Sequence, residues 1–199
     1  DIRIKLSTRG GRVYSAEVKN EKTFDGKPLI LFDGTDNKFG TTITAGSTVV
    51  NTNDRYFTTT ATNTQVAAQD SASVTLRLSY SATQYIDYIY TLKGEGYKVG
   101  FTVKPVGLDN VIANSSVFNV NWESMPRKQE MDMTQERQYT TVYYKPIDDG
   151  ADYLSETSDD AKEVADQKIQ WVSFKAHFFS SVLIAKKGIS KANIAVSID

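Results

Sequence analysis

The sequence predicts an all-β, mainly antiparallel fold, and three observations indicate it. Short segments with alternating apolar and polar residues recur along the chain, as in strands that bury one face. Pairs that favour turns, such as Gly10-Gly11 and Asp33-Gly34, separate these segments. Helical character is confined to 127–138, where Met131 supplies a narrow apolar face for a minor helix. The 199 residues suit one domain, 1–199, or two small ones, and length alone favours one. A chain of this length needs no disulfide or metal to fold.

Strands are expected in the first part of the chain wherever alternate residues are apolar. These segments are 2–6, 13–18, 29–32, 74–80, 85–92, 97–103 and 117–122. Gly10 and Gly11 tolerate the positive φ of a two-residue turn, so 2–6 and 13–18 are expected to pair as a hairpin. Residues 93–96 close a second hairpin in the same way.

Residues 35–70 are dominated by Thr, Asn, Ser and Gly. Because Thr is β-branched and suits a pleated surface, 41–44 and 56–60 are candidate strands. Few residues in this region are large and apolar. A mobile edge or a long connection that contributes little core is therefore expected.

The densest apolar stretch is 168–185, and it is expected to anchor the core. Trp171, Phe174, Phe178 and Phe179 surround the only histidine, His177. Burying one large aromatic side chain is worth roughly 1.5–3 kcal/mol, so no other segment offers as much core per residue. The spacing predicts a strand, a tight turn and a second strand.

The segments around this stretch complete the C-terminal part. A strand is expected at 139–145, and the acidic stretch 148–166 is expected to be a solvated loop. Residues 186–188 are expected to turn the chain into a last strand that continues through Ile198. Because the strand pattern runs from Ile2 through Ile198, the chain is expected to be an excised domain rather than one with a natural start.

Composition excludes several classes of function. The net charge of −1 argues against a nucleic-acid partner, which requires a basic excess on one face. The absence of cysteine excludes a disulfide scaffold, a thiolate metal site and a cysteine nucleophile. No run of about 18 apolar residues is present, so no segment of this sequence predicts a membrane-spanning helix.

No catalytic, cofactor-binding or metal-binding residue is predicted. His177 alone cannot form a multi-histidine metal site, and as a general base it would need an orienting carboxylate in an open cleft. Its phenylalanine neighbours favour a packed structural role. The glycines Gly94, Gly96 and Gly100 superficially resemble a dinucleotide-binding loop, but strands rather than a helix follow them. The acidic stretch 148–166 lacks the residue pattern of a calcium loop.

Tyrosines at strand positions are the candidate partner-binding residues, with two interpretations left open. They can line a groove that grips an extended peptide or a glycan, or they can simply reflect the preference of aromatic residues for strands. The candidates are Tyr85, Tyr88, Tyr90, Tyr143 and Tyr144.

Four segments in order resemble the large periplasmic domain of YidC-type membrane protein insertases. Residues 4–17 (IKLSTRGGRVYSAE) resemble the opening of that domain, and 26–33 (GKPLILFD) resemble the segment that follows. Residues 85–103 resemble its central hairpin, and 168–185 resemble its last part. The resemblance implies a β-supersandwich, in which two twisted sheets pack face to face, with a minor helix near the C-terminal end.

The resemblance also implies a location, partners and a function. The domain is expected to face the periplasm at the bacterial inner membrane and to assist the insertion and folding of membrane proteins without catalysis and without a cofactor. The implied partners are Sec translocon accessory subunits and nascent membrane proteins, and the implied membrane attachment uses helices absent from this chain. The alternatives are a carbohydrate-binding or mutarotase-like supersandwich protein and a cell-surface adhesin sandwich.

Overall fold

Strands make up most of the chain in a computed structural model, which describes residues 1–112 and 118–198 apart from the side chain of Thr35. The strands are β1 (Ile2–Ser7), β2 (Arg12–Lys22), β3 (Pro28–Asp33), β4 (Asn37–Ala45), β5 (Thr48–Asn51), β6 (Ser71–Ser79), β7 (Tyr85–Lys93), β8 (Val99–Val106), β9 (Asn119–Ser124), β10 (Thr141–Pro146), β11 (Asp152–Tyr153), β12 (Asp160–Val164), β13 (Ile169–Lys175), β14 (Ser180–Ile189) and β15 (Ala192–Val196). The α-helix is α1 (Met133–Gln138), and single turns of 3-10 helix cover Gly34–Asp36 and Thr52–Asp54. The predicted all-β, mainly antiparallel class with a minor helix is confirmed.

The chain forms two compact units, and each unit is built from two separate segments of the sequence. Unit 1 consists of Asp1–Glu21 and Phe32–Met125, and unit 2 consists of Lys22–Leu31 and Pro126 onward. The chain therefore passes between the units within β2, within β3 and after β9. That residues 1–199 act as a single domain stays a prediction.

Unit 1 contains the hairpins that the turn residues predict. β1 pairs antiparallel with β2 across Gly10 and Gly11, whose φ angles are 80° and 61°. A side chain at Gly11 would meet the Phe57 ring at 2.9 Å, so both the backbone and the packing require glycine there. β7 lies between β6 and β8, and β4 lies between β5 and β9. The predicted strand 117–122 corresponds to β9, and Val117 lies outside the described residues.

The prediction that residues 35–70 contribute little core is wrong for 35–57 but is confirmed for 58–70, a connection that is exposed apart from Val66. Thr41 and Thr52 are completely buried, and both of their hydroxyl groups bond to the phenol oxygen of Tyr88, at 2.6 and 3.0 Å. Phe57 packs its ring against Tyr88 at 4.7 Å between centroids. These polar residues enter the core because the phenol satisfies their hydroxyl groups there. The predicted strand 41–44 lies within β4, whereas 56–60 makes only isolated bridges, at Tyr56 and Thr58.

The core of unit 1 is built on the inward face of β7. Tyr88 is fully buried, and burial raises the pKa of its phenol group. The phenol group of Tyr90 donates to the carbonyl of Gly11 at 2.7 Å. The buried members of this core are Ile43, Phe57, Leu76, Ile86, Tyr88, Tyr90, Leu108 and Ile112.

Unit 2 contains a four-stranded sheet in the order β11-β10-β13-β14 and a separate pair, β12-β15. Its core collects alternate residues of these strands, as a half-buried sheet requires. The buried members are Val142, Tyr144, Leu154, Val164, Ile169 and Ile194, with Val172 and Phe174 packed against them. The predicted strand, turn and strand at 168–185 are β13, the turn 176–179 and β14.

The predicted core role of 168–185 holds for only one face of that hairpin. Ile169 is fully buried, but Phe178, Val182 and Ile184 are 65%, 47% and 54% exposed. The apolar run Val182 to Ile184 spans both sides of β14, so burying one side leaves the other side open.

Three further predictions around this sheet require correction. Part of the acidic stretch 148–166 forms β12, because Asp160–Val164 finds a strand partner in β15. Residues 186–188 do not turn but continue β14, where Gly188 adopts a φ of 78° at a point of irregular register. Met131 is 74% exposed and precedes helix α1, whose buried residue is Glu136.

An ion pair closes one border of the unit 2 core. The phenol group of Tyr144 donates to Asp152 Oδ2, and Lys162 Nζ lies 2.8 Å from the same oxygen. Lys162 and then Tyr144 lower the pKa of the Asp152 carboxyl group to about 2. A carboxyl group with a lowered pKa stabilises the fold at pH values above its unfolded-state pKa, and this contribution is lost as the pH falls through about 2.

Replacing Lys162 with glutamine is expected to raise the pKa of Asp152 toward the ordinary value of 3.8. The stability difference between the wild type and this variant should be largest above pH about 4 and should shrink as the pH falls toward about 2. NMR titration of the Asp152 carboxyl group and thermal unfolding across this range measure the two effects. The matched control is Lys191→Gln, which removes an exposed ion pair with Glu163 and should leave the Asp152 titration unchanged. An unchanged Asp152 pKa in the Lys162→Gln variant would contradict the conclusion that Lys162 is the main cause of the low pKa.

Candidate functional site

The side of the unit 2 sheet that faces away from its core is the candidate site. Strand register places its side chains in rows that cross the sheet. One row runs from Tyr153 through Tyr143 and Ser173 to Val182. The next row runs from Lys145 through Trp171 to Ile184. We call this surface the open sheet face, and its members are Tyr143, Lys145, Tyr153, Trp171, Ser173, Lys175, Ser180, Val182 and Ile184.

The open sheet face exposes several apolar side chains next to one another. Tyr153 is 53% exposed, and its ring stacks on Tyr143 with 4.9 Å between centroids. Val182 and Ile184 are each about half exposed, and Trp171 is partly exposed. A shallow open depression of about 260 Å³ lies over part of this face, between Tyr143 and Val182. Contiguous apolar surface of this kind marks interaction sites in soluble proteins.

Lysines border the open sheet face. Lys175 Nζ donates to the carbonyl of Tyr139 at 2.8 Å and lies 5.5 Å from the ring centroids of Tyr139 and Tyr143. Lys145 Nζ donates to the carbonyl groups of Pro146 and Asp149. Neither lysine forms an ion pair among the salt bridges that the structure describes. Carbonyl oxygens thus orient both ammonium groups without neutralising them.

The negative charge of Glu156 acts on Tyr143 of this face. Burial, together with the charge of Glu156, raises the pKa of the Tyr143 phenol group. That phenol group therefore stays protonated and remains a hydrogen-bond donor through the neutral range. The face as a whole combines apolar area, phenol donors and cations, which suits a partner with apolar side chains and negative charge.

Strand β14 forms one edge of the sheet, and among the described strands it pairs only with β13. Its main-chain donors and acceptors on the other side are therefore not used by a neighbouring strand of the sheet. The first residues of β14, Ser180 to Ala185, contain no charged residue, proline or glycine. Proteins usually protect long sheet edges with such residues, and the second half of β14 does carry Lys186, Lys187 and Gly188. The unprotected part of this edge is therefore Ser180 to Ala185.

The β13–β14 turn carries a stack of three rings beside the open sheet face. The His177 ring lies 4.6 Å from Tyr139, with an angle of 9° between planes, and 4.0 Å from Phe178. The turn is closed by a hydrogen bond from the amide of Ala176 to the carbonyl of Phe179. Ring packing of this kind gives His177 a structural role and lends no support to sugar chemistry that requires His177 and a carboxylate in a cleft.

The tyrosines predicted as partner-binding residues lie in different places. Tyr88, Tyr90 and Tyr144 are at most 5% exposed and belong to the cores, so their rings do not line a surface groove. Tyr85 is partly exposed in unit 1, where the Arg77 guanidinium lies 3.5 Å from its ring centroid. Tyr143 alone belongs to the open sheet face. A partner-binding role for Tyr85 and Tyr143 stays a prediction.

The sequence contained a signal for some residues of the open sheet face that the tyrosine prediction omitted. Val182, Leu183 and Ile184 are consecutive apolar residues, and a strand must send them to alternate sides of its sheet. Trp171 and Tyr153 join them only through strand pairing, which the sequence does not reveal. Among the described residues, no group of three or more histidine or acidic side chains is arranged to hold a metal. The described helix is also too short to cross a bilayer.

Comparison with known proteins finds similarity along the whole chain. The family model of the YidC periplasmic domain matches residues 1–198. The chain is 35% identical over 194 residues to the membrane protein insertase YidC of Bacteroides fragilis, a match covering 97% of this chain and 30% of that protein. It is 34% identical over 195 residues to the protein of the same name from Parabacteroides distasonis, with 97% and 30% coverage. For the Cytophaga hutchinsonii protein the identity is 30% over 188 residues, with 94% and 30% coverage. The chain thus spans about 30% of the length of these curated relatives.

Proposed function

Because the chain belongs to the YidC periplasmic domain family, we propose that it is the periplasmic part of a bacterial inner-membrane protein insertase. In this role it is a non-catalytic interaction domain that assists the insertion and folding of membrane proteins. Its partners are accessory subunits of the Sec translocon or the nascent membrane proteins themselves. The membrane-spanning helices of the insertase belong to other parts of that protein.

The open sheet face is the observation that supports an interaction role. Its centre holds Trp171 and Tyr143, residue types that are enriched in the centres of protein interfaces. Its border holds Val182 and Ile184, each about half exposed, and the lysine Lys175. A rigid, mostly apolar sheet surface is suited to holding a protein segment without changing it chemically.

Site-specific photocrosslinking in the full-length insertase tests this function. A photoreactive residue at Tyr153, Val182 or Ile184 is expected to crosslink to a Sec subunit or to a nascent membrane protein during insertion. The matched controls are Val49 and Val120, which are exposed valines on strands of unit 1, at 64% and 43%. Equal crosslinking from the test and control positions, or no crosslinks to either partner class, contradicts the proposal.

A further inference from the structure

We propose that the free edge of β14 binds an extended apolar segment of a nascent membrane protein by adding it to the unit 2 sheet as a further strand. In this arrangement, carboxylates of the bound segment lie near Lys186 and Lys187, at the C-terminal end of β14. The identity of the partner rests on the proposed function, whereas the binding geometry rests on β14 itself.

The edge of β14 is long enough and open enough to accept a strand. The regular part of β14 from Ser180 to Ala185 has six residues, whereas the opposite edge strand of the same sheet, β11, has two. This part of β14 carries none of the residues that normally prevent strand addition. An added strand gains main-chain hydrogen bonds from the edge, and side-chain contacts then select its sequence.

The open sheet face selects apolar side chains. A strand added beside β14 continues the rows that end at Val182 and Ile184, because side chains directly opposite each other lie about 4.5–5.5 Å apart. The two residues of the added strand that lie opposite Val182 and Ile184, two positions apart, then contact these half-exposed side chains. A segment rich in β-branched and aliphatic residues covers the exposed area of both, and nascent membrane proteins contain such segments.

The charges near the edge select against basic segments. Lys186 and Lys187 are both exposed, and neither forms an ion pair among the described salt bridges. Lysines or arginines opposite them repel, whereas carboxylates are attracted. The loops that remain in the cytoplasm carry the excess of Lys and Arg in membrane proteins, so segments that reach the periplasm are poor in both. The positive charge at the edge of β14 therefore suits those segments of membrane proteins that are translocated to the periplasm.

Synthetic peptides test the charge preference. The first probe is a soluble ten-residue peptide with valine and isoleucine at alternate positions and two glutamates at its N-terminal end, which antiparallel addition places near Lys186 and Lys187. The second probe carries two lysines in place of the glutamates. By fluorescence anisotropy with the 199-residue chain, we expect the glutamate peptide to bind at least about tenfold more tightly. Equal affinities overturn the charge selection.

Substitutions on β14 test the location. Val182→Lys and Ile184→Lys are each expected to weaken binding of the glutamate peptide about tenfold or more, because they place a charge on the apolar row. Both side chains are about half exposed, so the fold should be retained, as circular dichroism will show. The matched control is Val49→Lys on β5, an edge strand of unit 1, which should change the affinity by less than about twofold. If the glutamate peptide binds the Ile184→Lys variant with unchanged affinity, the proposed binding site at β14 is wrong.

Backbone methylation of the peptide tests strand addition itself. Methylating the alternate amides that face β14 should abolish binding, whereas methylating the other set should not, because only the first set donates to the edge. Equal binding of the two methylated peptides overturns the strand geometry. If neither peptide binds but crosslinks to Sec subunits persist, this inference fails and the proposed function stands. If the peptide binds but the full-length insertase gives no crosslinks, the proposed function fails.

Discussion

Replacing Tyr88 with alanine is expected to remove most of the stability of unit 1. The side chain is fully buried and packs against Phe57 and Phe101, with centroid distances of 4.7 and 5.1 Å. Removing a buried aromatic ring typically costs about 3–5 kcal/mol, from lost transfer free energy and from the cavity. The Thr41 and Thr52 hydroxyl groups also lose their shared partner. A loss of this size is a large part of the total stability of an ordinary domain.

Urea unfolding followed by circular dichroism measures this effect, and two variants separate its causes. Tyr97→Ala, at a residue that is 68% exposed, should change the free energy of unfolding by no more than about 0.5 kcal/mol. Tyr88→Phe keeps the ring and removes only the hydroxyl group, so we expect a loss of about 1–2 kcal/mol. If Tyr88→Ala is no more destabilising than Tyr97→Ala, the central place of Tyr88 in the core is wrong.

Replacing Glu136 with alanine is expected to destabilise unit 2 by about 2–3 kcal/mol. Glu136 is 5% exposed, and its carboxylate accepts hydrogen bonds from the amides of Gln129 and Glu130, at 3.0–3.3 Å. Hydrogen bonds to a charged acceptor are worth more than neutral ones, and alanine leaves buried amide donors without an acceptor. The loop before helix α1 should therefore loosen along with the overall loss of stability.

Hydrogen exchange of the Gln129 and Glu130 amides checks the local effect, and urea unfolding checks the global one. Glu136→Gln keeps one neutral acceptor oxygen, so its effect should lie between those of the wild type and Glu136→Ala. Gln135→Ala changes the neighbouring exposed residue of the same helix and should have little effect. Unchanged exchange of both amides in Glu136→Ala would mean that the carboxylate does not hold this loop.

The strands were predictable from sequence because alternation of apolar residues is a local property. Val74 to Leu78 and Tyr85 to Leu92 alternate clearly, and they form the paired strands β6 and β7. The apolar density of 168–185 correctly indicated a hairpin, but it did not indicate how many of its faces are covered. Coverage depends on elements distant in sequence, and nothing among the described residues fully covers the side of Val182 and Ile184.

Buried polar residues were the least predictable part of the fold. Thr41 and Thr52 are unremarkable in a Thr-rich stretch, and their burial depends on a phenol group 47 and 36 residues away. Glu136 likewise enters the interior because backbone amides converge on it, while the apolar Met131 stays outside. Tyr143 was the predicted candidate found on the open sheet face. Its neighbours there join it through strand register, which composition alone does not give.

The interleaving of the two units has a consequence for the order in which they can be completed as the chain is made and exported. Every residue of unit 1 has been made once Met125 is added, so unit 1 can close first. Residues 22–31 appear early, yet the rest of their own unit begins only at Pro126. Synthesis of the roughly one hundred intervening residues takes about 5–20 s at ordinary rates. Leu29, which is almost fully buried in the finished protein, waits through that interval before its unit exists.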